Sequence, residues 1–301
     1  MIEKKNIFVY SFYRFIKIKN RKLIKLQVLN LLKKTSIRGT FLIANEGINA
    51  SLSGEESELN SSIMIIKKIL NIRKLQIKVG ETNSHSFNKL KVRIKNEIVS
   101  LGVGSLEINK LTGKYISPKK WDKFILQKNI KLIDTRNIYE INIGKFKNSI
   151  NPKTKSFRDF PKRFKDLNLP KSQKIAMYCT GGIRCEKASS YLKKKGYKDI
   201  HQLDGGIINY LDFKNNSKNS SQWTGDCFVF DNRVSINKYL LKGKYYQCYG
   251  CRSPISKKDL KSEYYLKGVH CPKCVDLRSD KQKKKSLMRQ KQIELSKLRK
   301  G

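Results

Sequence analysis

Long apolar runs are missing from this sequence of 301 residues, and acidic residues and histidine are scarce. No stretch of about 18 residues is both uncharged and apolar enough to cross a membrane. The N-terminal residues MIEKKNIFVYSFYRFIKI interrupt their apolar side chains with charges and have no signal-peptide cleavage site. We therefore expect a cytoplasmic protein with no membrane partner.

Acidic residues are strongly outnumbered: there are 24 Asp and Glu against 66 Lys and Arg, and the net charge is +42. This charge is spread along the chain and favours a polyanionic partner, with nucleic acid ahead of membrane lipid. The alternative explanation is genomic, because Lys, Ile and Asn are the residues that AT-rich codons supply. Charge by itself therefore suggests RNA without establishing it.

Histidine occurs only at His85, His201 and His270, which are scattered and lack the spacing of metal ligands. Oxygen activation usually calls for iron held by two histidines and a carboxylate, or for a flavin or haem. No flavin fingerprint is present, and a lone histidine is more often structural than catalytic. The residues therefore predict neither a histidine-ligated iron centre nor a flavin.

The seven cysteines are an odd number, which argues against the disulfide framework of a secreted protein. Cys248, Cys251, Cys271 and Cys274 form two Cys-x-x-Cys pairs about twenty residues apart, a spacing typical of a zinc ribbon. We predict structural zinc here, with reduced thiols or a redox pair as the alternatives. Cys227 has no partner in the sequence and is predicted to be a core residue.

Residues 1–102 alternate strand and helix patterns in the order of a ferredoxin-like domain. NIFVYSFYRF is rich in β-forming residues, and RKLIKLQVLNLLKK spaces its apolar residues as an amphipathic helix does. GTFLIANEGINASLSG predicts two strands, SELNSSIMIIKKILN a second helix, and KLQIKVG a fourth strand. The basic segment KLKVRIK predicts one more strand. We expect an α+β domain with a split β-α-β order.

The rest of the chain divides into four parts. Residues 103–120 contain glycine and proline and are predicted to be a linker. Residues 121–219 alternate short apolar strands with helices, which predicts a parallel α/β sheet with helices on both faces. A small Cys-rich segment follows at 220–277. The Lys-rich tail at 278–301 is predicted to be disordered.

The clearest chemical signal lies in MYCTGGIRCEKASSYL, residues 177–192. Cys179 ends an apolar strand and opens a glycine-rich turn that runs into a helix, where backbone N–H groups favour a thiolate or persulfide. Arg184 adds a fixed positive charge that can approach the loop or a bound anion. The alternative is a buried cysteine that merely packs, but glycines, arginine and helix start together favour a catalytic Cys179.

This loop resembles the active-site loop of rhodanese domains, Cys-x-x-Gly-x-Arg. LIDTRNIYE is similar to the Asp-x-Arg-x-x-x-Glu segment of the same family, and LDGGIINY to its Leu-x-Gly-Gly-Ile motif. The resemblance implies that Cys179 is the persulfide-forming nucleophile and that Asp134 and Arg136 support the loop. Residues 144–146 read Gly-Lys-Phe where these domains commonly have Gly-His-Ile, which puts the supporting contacts in question.

The flanking motifs extend the resemblance over about residues 6–275. ANEGINASLSG, the Cys179 loop and the two cysteine pairs together resemble the rhodanese-domain tRNA uridine hydroxylases. The resemblance implies that wobble uridine in the anticodon loop of tRNA is hydroxylated to 5-hydroxyuridine. Molecular oxygen would be the co-substrate, with an electron donor that the residues do not specify. Cys179 and Arg184 would be the catalytic residues.

Two other functions stay open at this point. The residues without the resemblance predict a sulfurtransferase that passes sulfur from a Cys179 persulfide to a small molecule, a protein or tRNA. A noncatalytic RNA-binding module is the third possibility, in which Tyr245, Tyr246 and Tyr249 could stack on unpaired bases. Cys185 is either a resolving thiol for Cys179 or a small residue that packs on the sheet.

Overall fold

The computed structural model describes residues 6–217 and 220–299. The start of the predicted N-terminal domain, two residues at the predicted boundary near 219 and the last two residues of the tail lie outside the described residues. No helix in the described part of the chain is both long and apolar enough to span a membrane.

The N-terminal domain has the element order that the sequence predicts. Its elements are β1 (Ile7–Phe15), α1 (Arg21–Leu32), β2 (Arg38–Ala44), β3 (Gly47–Glu55), α2 (Glu56–Ile69), β4 (Ile77–Thr82) and β5 (Leu90–Ile94). The strands lie side by side in the order β4-β1-β3-β2-β5. The first four are antiparallel and β5 runs parallel to β2. This topology confirms the split β-α-β fold and the additional basic strand.

The two faces of this sheet differ because apolar and polar residues alternate along its strands. One face forms a core with the apolar sides of α1 and α2, in which Phe12, Phe41 and Ile48 are buried. The other face carries smaller and more polar side chains. Those that border the cavity described below are Ser11, Tyr13, Thr40, Leu42, Asn49 and Ser51. This second face of the sheet is therefore not covered by α1 and α2, and other parts of the chain can contact it.

The central domain is a parallel sheet with helices on both faces. Its first elements are α3 (Ile108–Leu111), β6 (Lys114–Ile116), α4 (Pro118–Ile125), β7 (Ile130–Asp134), α5 (Ile138–Ile141) and β8 (Gly144–Phe146). They are followed by a 3-10 turn (Phe157–Asp159), α6 (Phe160–Lys165), β9 (Lys174–Tyr178), α7 (Ile183–Lys194), β10 (Ile200–Leu203) and α8 (Gly206–Ser217). The strand order is β6-β10-β9-β7. One core contains side chains of α4 and α8, and the other contains those of α6 and α7.

Part of the predicted linker at 103–120 belongs to this central sheet. Strand β6 pairs with β10 in parallel, and the helix α3 precedes it. The Gly113 amide donates to Ser189 Oγ at 2.8 Å, and Gln202 Nε2 donates to the Gly113 carbonyl at 3.1 Å. A strand of three residues is too short to show a period in the sequence, so only pairing with β10 reveals it.

The C-terminal part of the chain contains short elements. They are β11 (Trp223–Gly225), β12 (Cys227–Phe228), β13 (Ser235–Ile236), β14 (Tyr246–Gln247), β15 (Pro254–Ile255), α9 (Lys257–Leu260) and α10 (Asp280–Leu298). Strand β11 pairs with β8 of the central domain, and β12 pairs with β13. The hairpin of β14 and β15 carries the first Cys-x-x-Cys pair.

The predicted disorder of the tail is wrong for residues 280–298, which form α10. Arg278 donates to the Gly250 carbonyl at 2.6 Å and to Ser286 Oγ at 2.8 Å. Arg289 donates to the carbonyls of Tyr249 and Gly268 at 3.2 and 3.1 Å. These arginines satisfy carbonyls of the Cys-rich segment, and composition alone does not show such partners.

A buried lysine joins the N-terminal and central domains. Lys187 on α7 is 1% exposed, and its Nζ lies 2.9 Å from Glu46 Oε2 and 3.0 Å from the Val99 carbonyl. It also pairs with Glu97. Glu46 lies in the turn between β2 and β3, so the helix that follows the Cys179 loop is tied to the N-terminal sheet.

Lys187→Met should lower the free energy of unfolding by about 3 kcal/mol, because it leaves two partly buried carboxylates without their cation. Burial opposes ionisation of Glu97, but Lys187 and backbone amides lower its pKa below the ordinary value. Its ionised form therefore stabilises the fold above the pKa of the unfolded chain, and this contribution is lost as pH falls through the folded pKa. Urea denaturation across that range should show a weaker acid dependence in the variant. The exposed Lys194→Met is the control, and equal stability of both variants would contradict the prediction.

Candidate active site

Cys179 lies where the sequence predicts it, directly after β9 and before α7. Its Sγ accepts a hydrogen bond from the Gly182 amide at 3.0 Å. The helix begins at Ile183, so the sulfur sits at its N-terminus, where partial positive charge favours an anion. The residue is fully buried and borders the cavity described below.

The environment of Cys179 favours the thiolate. Burial raises its pKa, but the Cys185 thiol, the charge of Arg184 and the amides of Cys185 and Gly182 together lower it to about 5. Cys185 is correspondingly held in the protonated form, since burial and the neighbouring Cys179 sulfur raise its pKa. The negative charge is therefore favoured on Cys179 and the neutral thiol on Cys185.

Two glycines allow the loop to form. Gly206 has a φ of +72°, and a Cβ at this position would lie 2.5 Å from the Cys179 carbonyl and 2.8 Å from the Gly182 amide. This close approach lets the amides of Ile207 and Ile208 donate to the carbonyls of Cys179 and Thr180 at 3.0 and 3.1 Å. Gly182 has a φ of +100°, which side chains rarely tolerate. The Leu-x-Gly-Gly-Ile motif thus holds the Cys179 loop in place through these two backbone hydrogen bonds.

Arg184 is paired with a residue for which the sequence analysis proposed no role. Its two terminal nitrogens donate to Glu140 Oε2 at 2.6 Å and Oε1 at 2.8 Å, and Nη2 also donates to Thr180 Oγ1 at 3.2 Å. Burial opposes ionisation of Glu140, but Arg184 keeps its pKa below the ordinary value. Arg184 therefore positions the loop, and much of its charge is already neutralised. Glu140 is the last residue of the Asp-x-Arg-x-x-x-Glu motif, so the sequence contained a sign that it belongs to the site.

Asp134 and Arg136 form a second buried ion pair at the end of β7. Arg136 Nη2 lies 2.6 Å from Asp134 Oδ2 and donates to the Gly144 carbonyl at 2.7 Å. The guanidinium also lies 5.1 Å from the ring centre of Trp223. Phe146, in the segment that departs from the Gly-His-Ile pattern, is buried against Tyr178. These contacts join β7, β8 and β11, and the role of Asp134 and Arg136 in supporting the Cys179 loop stays a prediction.

A cavity of about 450 Å³ extends from the Cys179 loop. The second face of the N-terminal sheet forms one wall, residues 179–184 form another, and residues 229–233 form a third. The last of these segments is fixed to the N-terminal domain, because the Asn232 amide donates to the Ser86 carbonyl at 2.8 Å. A reacting group must enter this cavity to reach the sulfur, so three distant parts of the chain define the site.

The N-terminal domain also brings polar groups to the loop that the sequence analysis did not identify. Tyr13 Oη donates to Glu186 Oε1 at 2.5 Å, and a Cβ on Gly182 would lie 2.8 Å from the same hydroxyl. Burial raises the pKa of Glu186 above its ordinary value. Burial and the nearby charge of Glu186 raise the pKa of Tyr115 to about 12. No sequence spacing links Tyr13 to Glu186, because 173 residues separate them.

Phe230 is an exposed aromatic residue beside this cavity. It borders the cavity and is nevertheless 63% exposed. Phe228 packs edge to face against it at 5.1 Å, and the Arg184 guanidinium lies 5.8 Å from its ring centre. An exposed ring that is held in place next to a cavity is suited to stacking on a planar ligand.

The four C-terminal cysteines have the geometry of a zinc site. Their sulfurs all lie within 4.8 Å of one another, and three of the separations are 3.9 Å. Four sulfurs at the Zn–S distance of about 2.3 Å would be about 3.8 Å apart in a tetrahedron. The surrounding core contains little besides Ile255 and the partly buried Leu260 and Tyr265. A core this small calls for a metal or a crosslink, so the residues fit zinc.

The three histidines are separate from one another and do not border the cavity beside Cys179. Each histidine ring has a hydrogen-bond partner: His85 the Ser53 carbonyl, His201 the Asp199 carboxylate and His270 the Tyr264 carbonyl. Among the described residues, the four cysteines are the only group of three or more His, Cys, Asp or Glu side chains close enough together to hold a metal.

Cys227 and the three tyrosines can also be located. Cys227 is buried in the central core, as predicted. Tyr245 packs against a small apolar cluster and is not free to stack, whereas Tyr246 and Tyr249 are exposed.

Two protein families match this chain. Residues 7–98 match the family described as UPF0176 acylphosphatase like domain, and residues 117–212 match the family described as Rhodanese-like domain. The tRNA uridine(34) hydroxylase of Pelagibacter ubique (strain HTCC1062) is 48% identical over 290 residues, which cover 96% of this chain and 95% of that protein.

Solved structures match about a third of the chain. A rhodanese-related protein from Thermoplasma volcanium is 25% identical and covers 33% of this chain and 92% of its own, with a TM-score of 0.29. The polysulfide-sulfur transferase homodimer of Wolinella succinogenes is 26% identical and covers 36% of this chain and 80% of its own, also with a TM-score of 0.29.

Proposed function

The chain belongs to the tRNA uridine(34) hydroxylase family, and from that premise we propose that it hydroxylates the wobble uridine of tRNA to 5-hydroxyuridine. The observation that carries the proposal is the Cys179 sulfur, bonded to the Gly182 amide at the start of α7 and beside a cavity that three parts of the chain line. Cys179 is the reactive group, and Arg184 positions its loop through Glu140.

The reaction class is that of a monooxygenase. One atom of molecular oxygen is inserted into the C5–H bond of uracil and the other leaves as water, for which a reductant outside this site supplies two electrons and the solvent two protons. A wobble base lies in an unpaired loop, so it can enter the cavity without the cost of opening a duplex. The net charge of +42 suits the tRNA backbone, since each neutralised phosphate releases counterions.

Zinc at Cys248, Cys251, Cys271 and Cys274 has a structural role in this proposal. Four thiolate ligands leave no open position for substrate or oxygen. A metal bound there would instead hold the Cys-rich segment, on which the lysine-rich helix α10 docks. Cys185, whose thiol faces Cys179, remains a candidate resolving thiol that could form a disulfide after oxidation.

Phe230→Ala should weaken tRNA binding and raise KM for tRNA about 10- to 100-fold. Loss of one stacked base costs about 1–3 kcal/mol. Phe230→Trp should retain most of the affinity because it keeps a planar ring. Initial rates at varied tRNA concentration measure the effect, and Tyr239→Ala, which removes a comparably exposed ring, is the control. Equal KM values for both alanine variants would contradict a stacking role.

The function is tested by mass spectrometry of wobble nucleosides. Deletion of the gene should remove 5-hydroxyuridine and its derivatives from tRNA, and the purified protein should restore them when oxygen and a reductant are supplied. Loss of thiolated bases instead would indicate the alternative, a sulfurtransferase acting through a Cys179 persulfide. An unchanged nucleoside profile would favour an RNA-binding module without catalysis.

A further inference from the structure

The cavity is bordered by three cationic side chains, and two of them have carboxylate partners. Arg184 is bonded to Glu140 through both terminal nitrogens, and Arg233 Nη2 lies 2.7 Å from Asp231 Oδ2. Lys78 is the third. Among the described residues, Lys78 Nζ has no hydrogen bond or ion pair, and it lies 5.4 Å from the centre of the Tyr13 ring.

Lys78 comes from β4 of the N-terminal domain and reaches the Cys179 loop. Its side chain is half-buried, and its Cδ and Cε lie 3.9 Å from the position that a Cβ on Gly181 would occupy. Burial lowers the pKa of Lys78, while the nearby negative charge of Cys179 acts in the opposite direction. A partly desolvated cation without an anionic hydrogen-bond partner costs free energy, so an anion in the cavity would stabilise it.

We propose that Lys78 is a positioning residue that stabilises the anionic sulfur of Cys179 from the cavity side. The inference rests on the proposed role of Cys179 as the reactive group. Loop amides and the Cys185 thiol face the sulfur from the rhodanese-like domain, and Lys78 adds a charge from the other domain. The active site is then complete only when the two domains are docked.

Other charged groups around Cys179 do not take this role. Glu186 accepts a hydrogen bond from Tyr13, and burial raises the pKa of its carboxyl, which disfavours the charged form. Arg184 is occupied by Glu140. The titratable groups that face the sulfur or the lysine are Arg184, Cys185 and Glu186 on α7, Tyr13 on β1, Lys78 on β4 and Asp204 after β10.

Titration of the Cys179 thiolate tests the proposal without RNA or oxygen. The ultraviolet absorbance of the thiolate is measured against pH as the difference between each full-length protein and its Cys179→Ser counterpart. Lys78→Met should raise the midpoint by about one pH unit. At the wild-type midpoint, the thiolate fraction would then fall from half to about one tenth. Lys78→Arg should restore the wild-type midpoint because it keeps the charge.

Lys74→Met is the matched control, since Lys74 is an exposed lysine four residues earlier in the chain. If thermal melting shows that the Lys78→Met variant is not folded, Lys78→Gln repeats the test with a polar, uncharged side chain. An unchanged midpoint in folded Lys78 variants would overturn the proposal. Weaker tRNA binding with a smaller salt dependence and an unchanged midpoint would also overturn it, and would identify a phosphate contact instead. A shifted midpoint supports it even if hydroxylation is never observed.

Discussion

Cys179→Ala should lower the rate of 5-hydroxyuridine formation by about three orders of magnitude or more, because it removes the reactive sulfur. The fold should survive, since one small buried atom is lost. Cys227→Ala is a matched control: it removes an equally buried sulfur that belongs to the central core and approaches the loop only at Thr180. Single-turnover assays on unmodified tRNA measure both variants. Comparable activity of the two variants would remove Cys179 from the mechanism.

The same substitution should alter the pH dependence of stability. The Cys179 pKa is about 5 in the folded protein, against about 8.5 for an unfolded chain. The thiolate therefore stabilises the fold fully above about pH 8.5, and this contribution is lost as pH falls toward 5. The difference in free energy of unfolding between wild type and Cys179→Ala should grow as pH rises through that window. Activity of the wild type should fall as pH drops through about 5.

Loss of zinc should unfold the C-terminal segment while the two larger domains remain intact. Structural zinc contributes about 10–16 kcal/mol to such sites, far more than the few apolar residues here can supply. Cys271→Ser, at a fully buried ligand position, should bind less than half an equivalent of zinc. Helix α10 should also melt, since Arg278 and Arg289 donate to carbonyls of this segment.

Metal analysis of protein prepared without chelator measures the stoichiometry, and limited trypsin digestion locates the unfolded segment. Cys227→Ser is the control and should keep its zinc, because its sulfur lies in the central core. Less than about half an equivalent in the wild-type protein would contradict the zinc assignment. Cleavage at the many lysines beyond Cys248 should appear in the Cys271 variant first.

The local part of the active site could be predicted from the sequence. Cys179, the glycines and Arg184 lie within six residues, and a strand followed by a helix start is a local pattern. Glu140 is the last residue of the Asp-x-Arg-x-x-x-Glu motif, but its hydrogen bond to Arg184 joins residues 44 positions apart and is visible only in the folded protein. The strand β6 and the helix α10 were missed for related reasons, because pairing with β10 and docking on the Cys-rich segment define them.

Residue order along the chain determined the two folds, the Cys179 loop and the spacing of the two cysteine pairs, because period, turn chemistry and residue spacing are local properties. Tertiary structure alone decided that Lys78, Tyr13 and Phe230 meet this loop around one cavity. They come from three segments whose approach depends on packing between domains and on the buried Lys187 ion pairs. Contacts at such sequence separation carry no period or motif, so only the folded chain shows which groups share the site.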